Sequence, residues 1–188
     1  MPDDTHILSI ILYSDATTLD VLSKSTKHPV FLSLGNIPVE WCNKSNAKVF
    51  LGYLSSIKAS TISEKWSAQF ILAKQQLFQE SYRHLTKDIL TLQKKGLFLR
   101  TDHGLKIMYP FISQIIGDLP ENALICSTFN SAMAKYPCHT CLVAQDELNQ
   151  VHLDITIRIP QVMKQVIEND EARRFCIHKI NNIFWKFE

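Results

Sequence analysis

The sequence predicts an α/β fold: a mixed sheet with flanking helices, one of them long and amphipathic over about 61–95. Three observations lead there. Strand-length apolar runs separated by turn residues fill the first third. A helical apolar period then runs through 61–95, and after it short apolar segments alternate with periodic ones. Strands, long helix, strand, helix and strand in alternation is the pattern of helices packed on a sheet.

The first run, Ile7 to Tyr13 in "HILSIILYSDATT", is β-branched and aliphatic and breaks into the polar segment 14–18. The second lies in "HPVFLSLGNIP", closed by Gly35-Asn36 and Pro38, and the third is Val49 to Leu54. Gly35-Asn36 and the 43–46 stretch are turn chemistry, so three neighbouring strands on short loops are expected. Thr61-Ile-Ser-Glu64 has capping-box spacing and Gly96 is a helix stop. Between them Ile71, Phe78, Tyr82, Leu85, Ile89 and Leu92 fall on one face, with Lys74, Gln79, Lys87 and Lys94 outside it. Such a helix would be roughly 45 Å long.

"LFLRT" reads as a short strand, and "LKIMYPFISQIIGD" as a second amphipathic segment, a helix with Pro110 near its start. "ENALICSTF" reads as strand rather than helix, and 160–174 as a helix opened by Pro160.

Length and composition bound the function. The chain has 188 residues, 46% hydrophobic and 20% charged, which suits one globular domain. A formal net charge of +2 gives no nucleic-acid signal by itself. The start, Met-Pro-Asp-Asp-Thr-His, is acidic where a secretory leader is basic, and no apolar stretch approaches membrane-spanning length. The five cysteines, Cys42, Cys126, Cys138, Cys141 and Cys176, read as reduced thiols. With 5 glycines and no Gly-x-x-x-x-Gly-Lys, phosphate-cradling loops are nearly excluded. No Gly-x-Ser-x-Gly or cysteine-nucleophile context supports hydrolase chemistry.

Two features carry possible chemistry. Asp15 ends an apolar strand, and Asp118 ends another apolar segment ahead of Leu119-Pro120. Carboxylates at the ends of adjacent elements suit Mg²⁺, a hard ion that takes oxygen ligands and keeps several waters. Equally, Asp15 can be a turn former and Asp118 a helix-flanking loop residue. Cys138-His139-Thr140-Cys141 is a single Cys-x-x-Cys hook, a half-site for zinc or a turn with two thiols. Cys126, His139, Cys176 and His178 are the candidates to complete it.

In order and approximate spacing, the pieces resemble the Plavaka family of transposases, found chiefly in fungal mobile elements and allied to the CACTA group. The matching segments are "LYSDATTLD" at 12–20, "HPVFLSLGNIPVE" at 28–40, "VFLGYL" at 49–54, "YPFISQIIGDLPENALIC" at 109–126, "YPCHTC" at 136–141 and "NNIFWKFE" at 181–188. The resemblance implies a ribonuclease-H-like core in which an acid triad holds two Mg²⁺ (or Mn²⁺) ions for phosphodiester hydrolysis and strand transfer. Asp15 looks like the first acid and Asp118 like the second. The Cys-x-x-Cys after the second acid is similar to the Cys/Asp-x-x-His element that related transposases carry there, its first and last positions falling on Cys138 and Cys141, with His139 where the family usually has Pro. The family's third acid lies beyond the segment like "NNIFWKFE", and Glu188 is not at a matching position. The resemblance therefore implies a single partial catalytic core over 1–188, C-terminally truncated and inactive alone. The other reading is a domesticated DNA- or protein-binding module without catalysis. DNA is the implied partner and the nucleus the implied location. Truncation should also leave Phe184, Trp185 and Phe187 exposed.

Overall fold

The computed structural model describes residues 5–18, 26–129, 133–152 and 154–187. Met1 to Asp4, Leu19 and Asp20 of the 12–20 segment, and Glu188 lie outside the described residues. The described chain is mixed α/β. Its strands are β1 (Thr5–Ser14), β2 (Thr17–Thr18), β3 (Thr26–Lys27), β4 (Pro29–Leu34), β5 (Lys48–Tyr53), β6 (Leu97–Thr101) and β7 (Gly104–Ile116). Its α-helices are α1 (Val39–Cys42), α2 (Ile62–Lys65), α3 (Ala68–Lys95), α4 (Leu119–Cys126) and α5 (Pro160–Glu168). Five strands form a sheet in the order β5-β4-β1-β7-β6, and β2 pairs with β3 alone. The chain divides into two compact units, one built from the stretches up to Ser55 and Ser81–Gly117, the other from Ser56–Glu80 and Asp118–Lys186.

The first unit holds the five-stranded sheet. The three early apolar runs become β1, β4 and β5, antiparallel neighbours as their spacing suggests. The link between β1 and β4 is longer than a tight turn and carries the β2–β3 ladder. Asn36 does more than turn the chain: its side chain accepts from Ser9 N at 2.6 Å and donates to Ile7 O at 3.1 Å, extending the β1 ladder. Alternation along β1 buries Ile10, Leu12 and Ser14. Within this unit the 81–95 half of α3 meets β5 and its exit: Ser81 Oγ accepts from Ser55 N at 3.2 Å. A Cβ on Gly52 would stand 3.0 Å from Leu85 Cδ2.

Three expectations change. The long helix is broken after Lys65, because Ser67 Oγ accepts from Phe70 N at 3.2 Å and starts α3 afresh. Thr61 still caps the short α2 through Glu64 N at 3.1 Å. Gln79, expected outside the apolar face, is buried; its amide finds partners there.

The segment 104–116, expected as a helix, is strand β7. Four isoleucines favour extended backbone, and Pro110 inside a helix costs about 3 kcal/mol. The β6–β7 ladder stops at Met108, so Pro110 has no bond to make on that side. A register shift against β1 follows, where Ser113 Oγ donates to Ile10 O at 3.2 Å.

The segment expected as strand, 119–126, is helix α4. Asp118 caps it, Pro120 sits in its first turn, and Ser127 ends it with a left-handed φ of 58°. Helix α5 begins at Pro160 but stops at Glu168, short of 174.

The second unit is organised by polar atoms around an apolar cluster of Met163, Val166, Ala172 and Ile177, with Ile167, Phe175 and Trp185 against it. Phe184 and Trp185 are half-buried rather than exposed, and so is Phe187. Gln79 Nε2 donates to Leu124 O at 3.0 Å, and Asn182 Nδ2 donates to Ile125 O at 2.7 Å. Gln79 thus gives Leu124 O a second donor beside Ser127 N, and Asn182 supplies one to Ile125 O at the end of α4. Gln79 Oε1 in turn accepts from Ile183 N at 2.9 Å.

Candidate functional site

Asp15 belongs to the sheet unit and Asp118 opens the second. Within the sheet, β1 and β7 are parallel neighbours, with Tyr13 paired to Ile116. The chain reaches Asp15 two residues beyond Tyr13, and Asp118 two residues beyond Ile116. Each acid thus follows a strand at one register level.

Asp15 is exposed, and Tyr13 Oη donates to its Oδ2 at 3.3 Å. Asp118 serves the backbone, since its Oδ1 accepts from Glu121 N at 2.7 Å as the N-cap of α4. An ion contact through Oδ2 is compatible with that cap. Among the described residues, no group of three or more His, Cys, Asp or Glu is arranged to hold a metal ion. Asp154 is exposed in a loop, whereas Glu121 is buried in α4.

The hook residues do come together. Thr140 N donates to Cys138 Sγ at 3.4 Å, and the Thr140 hydroxyl lies 3.1 Å from the same sulfur. Burial pushes the Cys138 thiol up, but hydrogen bonds from Thr140 and from Cys141 outweigh it and bring it to about 7. Cys141 is pushed up instead, by burial first and by the neighbouring Cys138. The pair is an asymmetric dithiol in which Cys138 gives up its proton more readily than Cys141.

Arg158, which no spacing rule linked to the hook, holds this loop in place. Its Nε donates to Cys138 O at 3.0 Å and Cys141 O at 3.2 Å. Its Nη1 donates to Phe175 O at 2.7 Å and its Nη2 to Tyr136 O at 3.1 Å. A planar fork of donors suits such a set of carbonyls, and Lys has no equivalent. The bridge between Cys141 and Ile157 brings the arginine's strand-like segment alongside.

The remaining candidates surround the same cation. Cys126, Cys138, Cys141 and Cys176 all lie within its electrostatic reach. Burial pushes the Cys126 thiol up to about 11, against the pull of Arg158. His139 is held below the ordinary histidine range by burial and by Arg158, so it is neutral. His178 is lowered by burial and packs on Phe129 at a ring separation of 4.8 Å.

Comparison with known families fixes the class as transposase-derived: residues 1–187 match the family model described as Plavaka transposase. The chain belongs to the Plavaka transposase family. No curated protein matches the sequence. Among the described residues, no helix is long and apolar enough to cross a membrane.

Proposed function

We propose that this chain is a ribonuclease-H-like transposase core in which Asp15 and Asp118 are two of the acids that hold divalent ions against DNA, and that alone it does not cut. The supporting observation is the register of β1 and β7, parallel and level where each runs on to its acid. Bound Mg²⁺ or Mn²⁺ would supply an activated attacking oxygen and a stabilised leaving oxygen. The chain's own contribution is the two carboxylates, Asp15 steered by Tyr13 and Asp118 fixed by its helix cap. Two such carboxylates leave a second hard ion dependent on water and substrate, hence the expected inactivity. The nucleus is the compartment this reading requires.

Mn²⁺ binding and a plasmid-nicking assay test it together. The wild-type chain should bind Mn²⁺ weakly, Asp15→Asn should lose that binding, and neither should nick DNA. Cleavage by the wild type that Asp15→Ala abolishes would show that a third ligand is present, with Glu121 and Asp154 the residues to examine. Mn²⁺ binding unchanged in Asp15→Asn would remove the catalytic reading. It would favour the module without catalysis, which the capping role of Asp118 already supports. For Cys138 and Cys141 we propose a structural hook, with zinc only where a third thiol or imidazole joins them. Metal analysis of the purified chain beside Cys138→Ser separates the two.

A further inference from the structure

The sheet face carrying Tyr13 has a second property that the acid site does not use. In the β1–β4 ladder Tyr13 stands opposite Phe31, and in the β4–β5 ladder Phe31 stands opposite Phe50. The register shift in β4–β5 brings Tyr53 onto the same face. The Phe31 and Phe50 rings are 5.6 Å apart and the Phe50 and Tyr53 rings 5.0 Å. Four aromatic rings therefore cross three strands in one row. Three of them are well exposed: Tyr13 at 42%, Phe50 at 49% and Tyr53 at 53%.

Beside this row the face opens into a cavity of about 450 Å³ walled by Ile11, Tyr13, Phe31, Asn43, Lys48 and Ile116. Lys48, opposite Ser33, is the charged residue of that wall, and β1, β4 and β5 contain no acid. Past α1, Lys44 sits 3.5 Å over the ring of Trp41, itself 49% exposed, with Glu40 the nearby acid in α1. Exposed rings in file with a few cations are what unpaired bases need, and the one carboxylate touching the row, Asp15 just past β1, is held by the Tyr13 hydroxyl. The rings stack bases of any sequence and the cations meet the phosphates. A duplex, whose bases are already stacked, has nothing to offer such a row.

We infer that this face binds single-stranded DNA, with one base in the cavity between Tyr13 and Phe31 and the next bases along Phe50 and Tyr53. This rests on the reading of the chain as a DNA-acting transposase core. The Tyr13 contact to Asp15 would then join strand binding to the acid's position.

The test is fluorescence anisotropy of the full chain with labelled oligo-dT and with a blunt duplex, each in EDTA and in Mg²⁺. Oligo-dT should bind more tightly than duplex in EDTA as well as in Mg²⁺. Phe50→Ala and Tyr53→Ala should each weaken it about tenfold. Phe50→Trp should restore binding, and Phe50→Leu, which keeps an apolar strand residue, should not. Lys48→Gln should lower the salt slope by about one ion. Circular dichroism of each variant guards against misfolding. Equal affinity for duplex, or unaltered binding in Phe50→Leu and Tyr53→Ala, would overturn the inference. Oligo-dT binding in EDTA, where no ion is held, reads the platform alone, and the Asp15→Asn variant is read by its Mn²⁺ binding. Failure of the metal reading therefore appears in that variant's Mn²⁺ binding, and failure of the platform in the aromatic variants.

Discussion

Arg158 shows how much one side chain carries when its partners are backbone carbonyls from four points of the chain. Four backbone oxygens from Tyr136, Cys138, Cys141 and Phe175 receive its protons. Arg158→Lys keeps the charge and loses the fork, so it should destabilise the fold by roughly 2–3 kcal/mol. Urea denaturation of the two proteins measures this. Cys138 offers a different readout. Its thiol, brought to about 7, should alkylate with a rate that rises through about pH 7 and then levels off. Cys126, at about 11, should stay inert over the same range. Thr140→Val deletes one donor to the Cys138 sulfur, so the midpoint should move up. Mass spectrometry after timed iodoacetamide treatment resolves both. Asp118 allows its two roles to be separated: Asn caps helices as well as Asp does, and Ala does not. Asp118→Ala should lose about 1 kcal/mol of stability and Asp118→Asn almost none, while both lose any bound cation.

At the level of elements, sequence reasoning did best where side-chain pattern and chain punctuation agree. The runs that became β1, β4 and β5 are apolar, β-branched and bounded by turn residues, and α3 carries an apolar face of helical period ending at Gly96. Gly96 takes φ +76°, and a Cβ there would meet Ile107 Cγ2 at 3.0 Å. Gly96→Ala should therefore cost about 1–2 kcal/mol through backbone strain alone, visible as a lowered Tm. The misreadings have particular causes. An apolar segment with isoleucines at 107, 112, 115 and 116 fits either period, and what decided for strand was a neighbour, β1, a hundred residues away. The α4 segment is as apolar as a strand, but its capping Asp118 and Pro120 were both present in the sequence. The weight given to apolar content hid them. Ser67 breaks the long helix by the same capping chemistry that marks Thr61.

For the molecule as a whole, the family was legible because six short segments keep their order along the chain, and the match covers residues 1–187. The residues of the proposed site were legible only in part. Asp15, Asp118 and the hook were visible as residue types at strand ends and in a turn. Arg158 was not, since a cation 17 residues from Cys141 has no local signature. The aromatic row was equally hidden, because its members come from three strands and align only through register. With a net charge of +2, few counterions are released on binding a duplex. Blunt duplex affinity should thus be weak and its salt dependence shallow, as a salt titration of the anisotropy would show.

The Gln79 amide has a consequence in time. Its partners at Leu124 and Ile183 lie 45 and 104 residues further along the chain. A ribosome adding about 5–20 residues per second reaches Ile183 ~5–20 s after Gln79. Through that interval the buried Gln79 side-chain oxygen lacks the Ile183 N–H it accepts from, although Leu124, the partner of its nitrogen, is made less than halfway through. The sheet unit lacks the same delay, since β1, β4 and β5 are all made before α3 begins. β7 must still arrive to flank β1. Nascent chains should accordingly acquire protease resistance in the two units at different lengths, the unit containing Gln79 last.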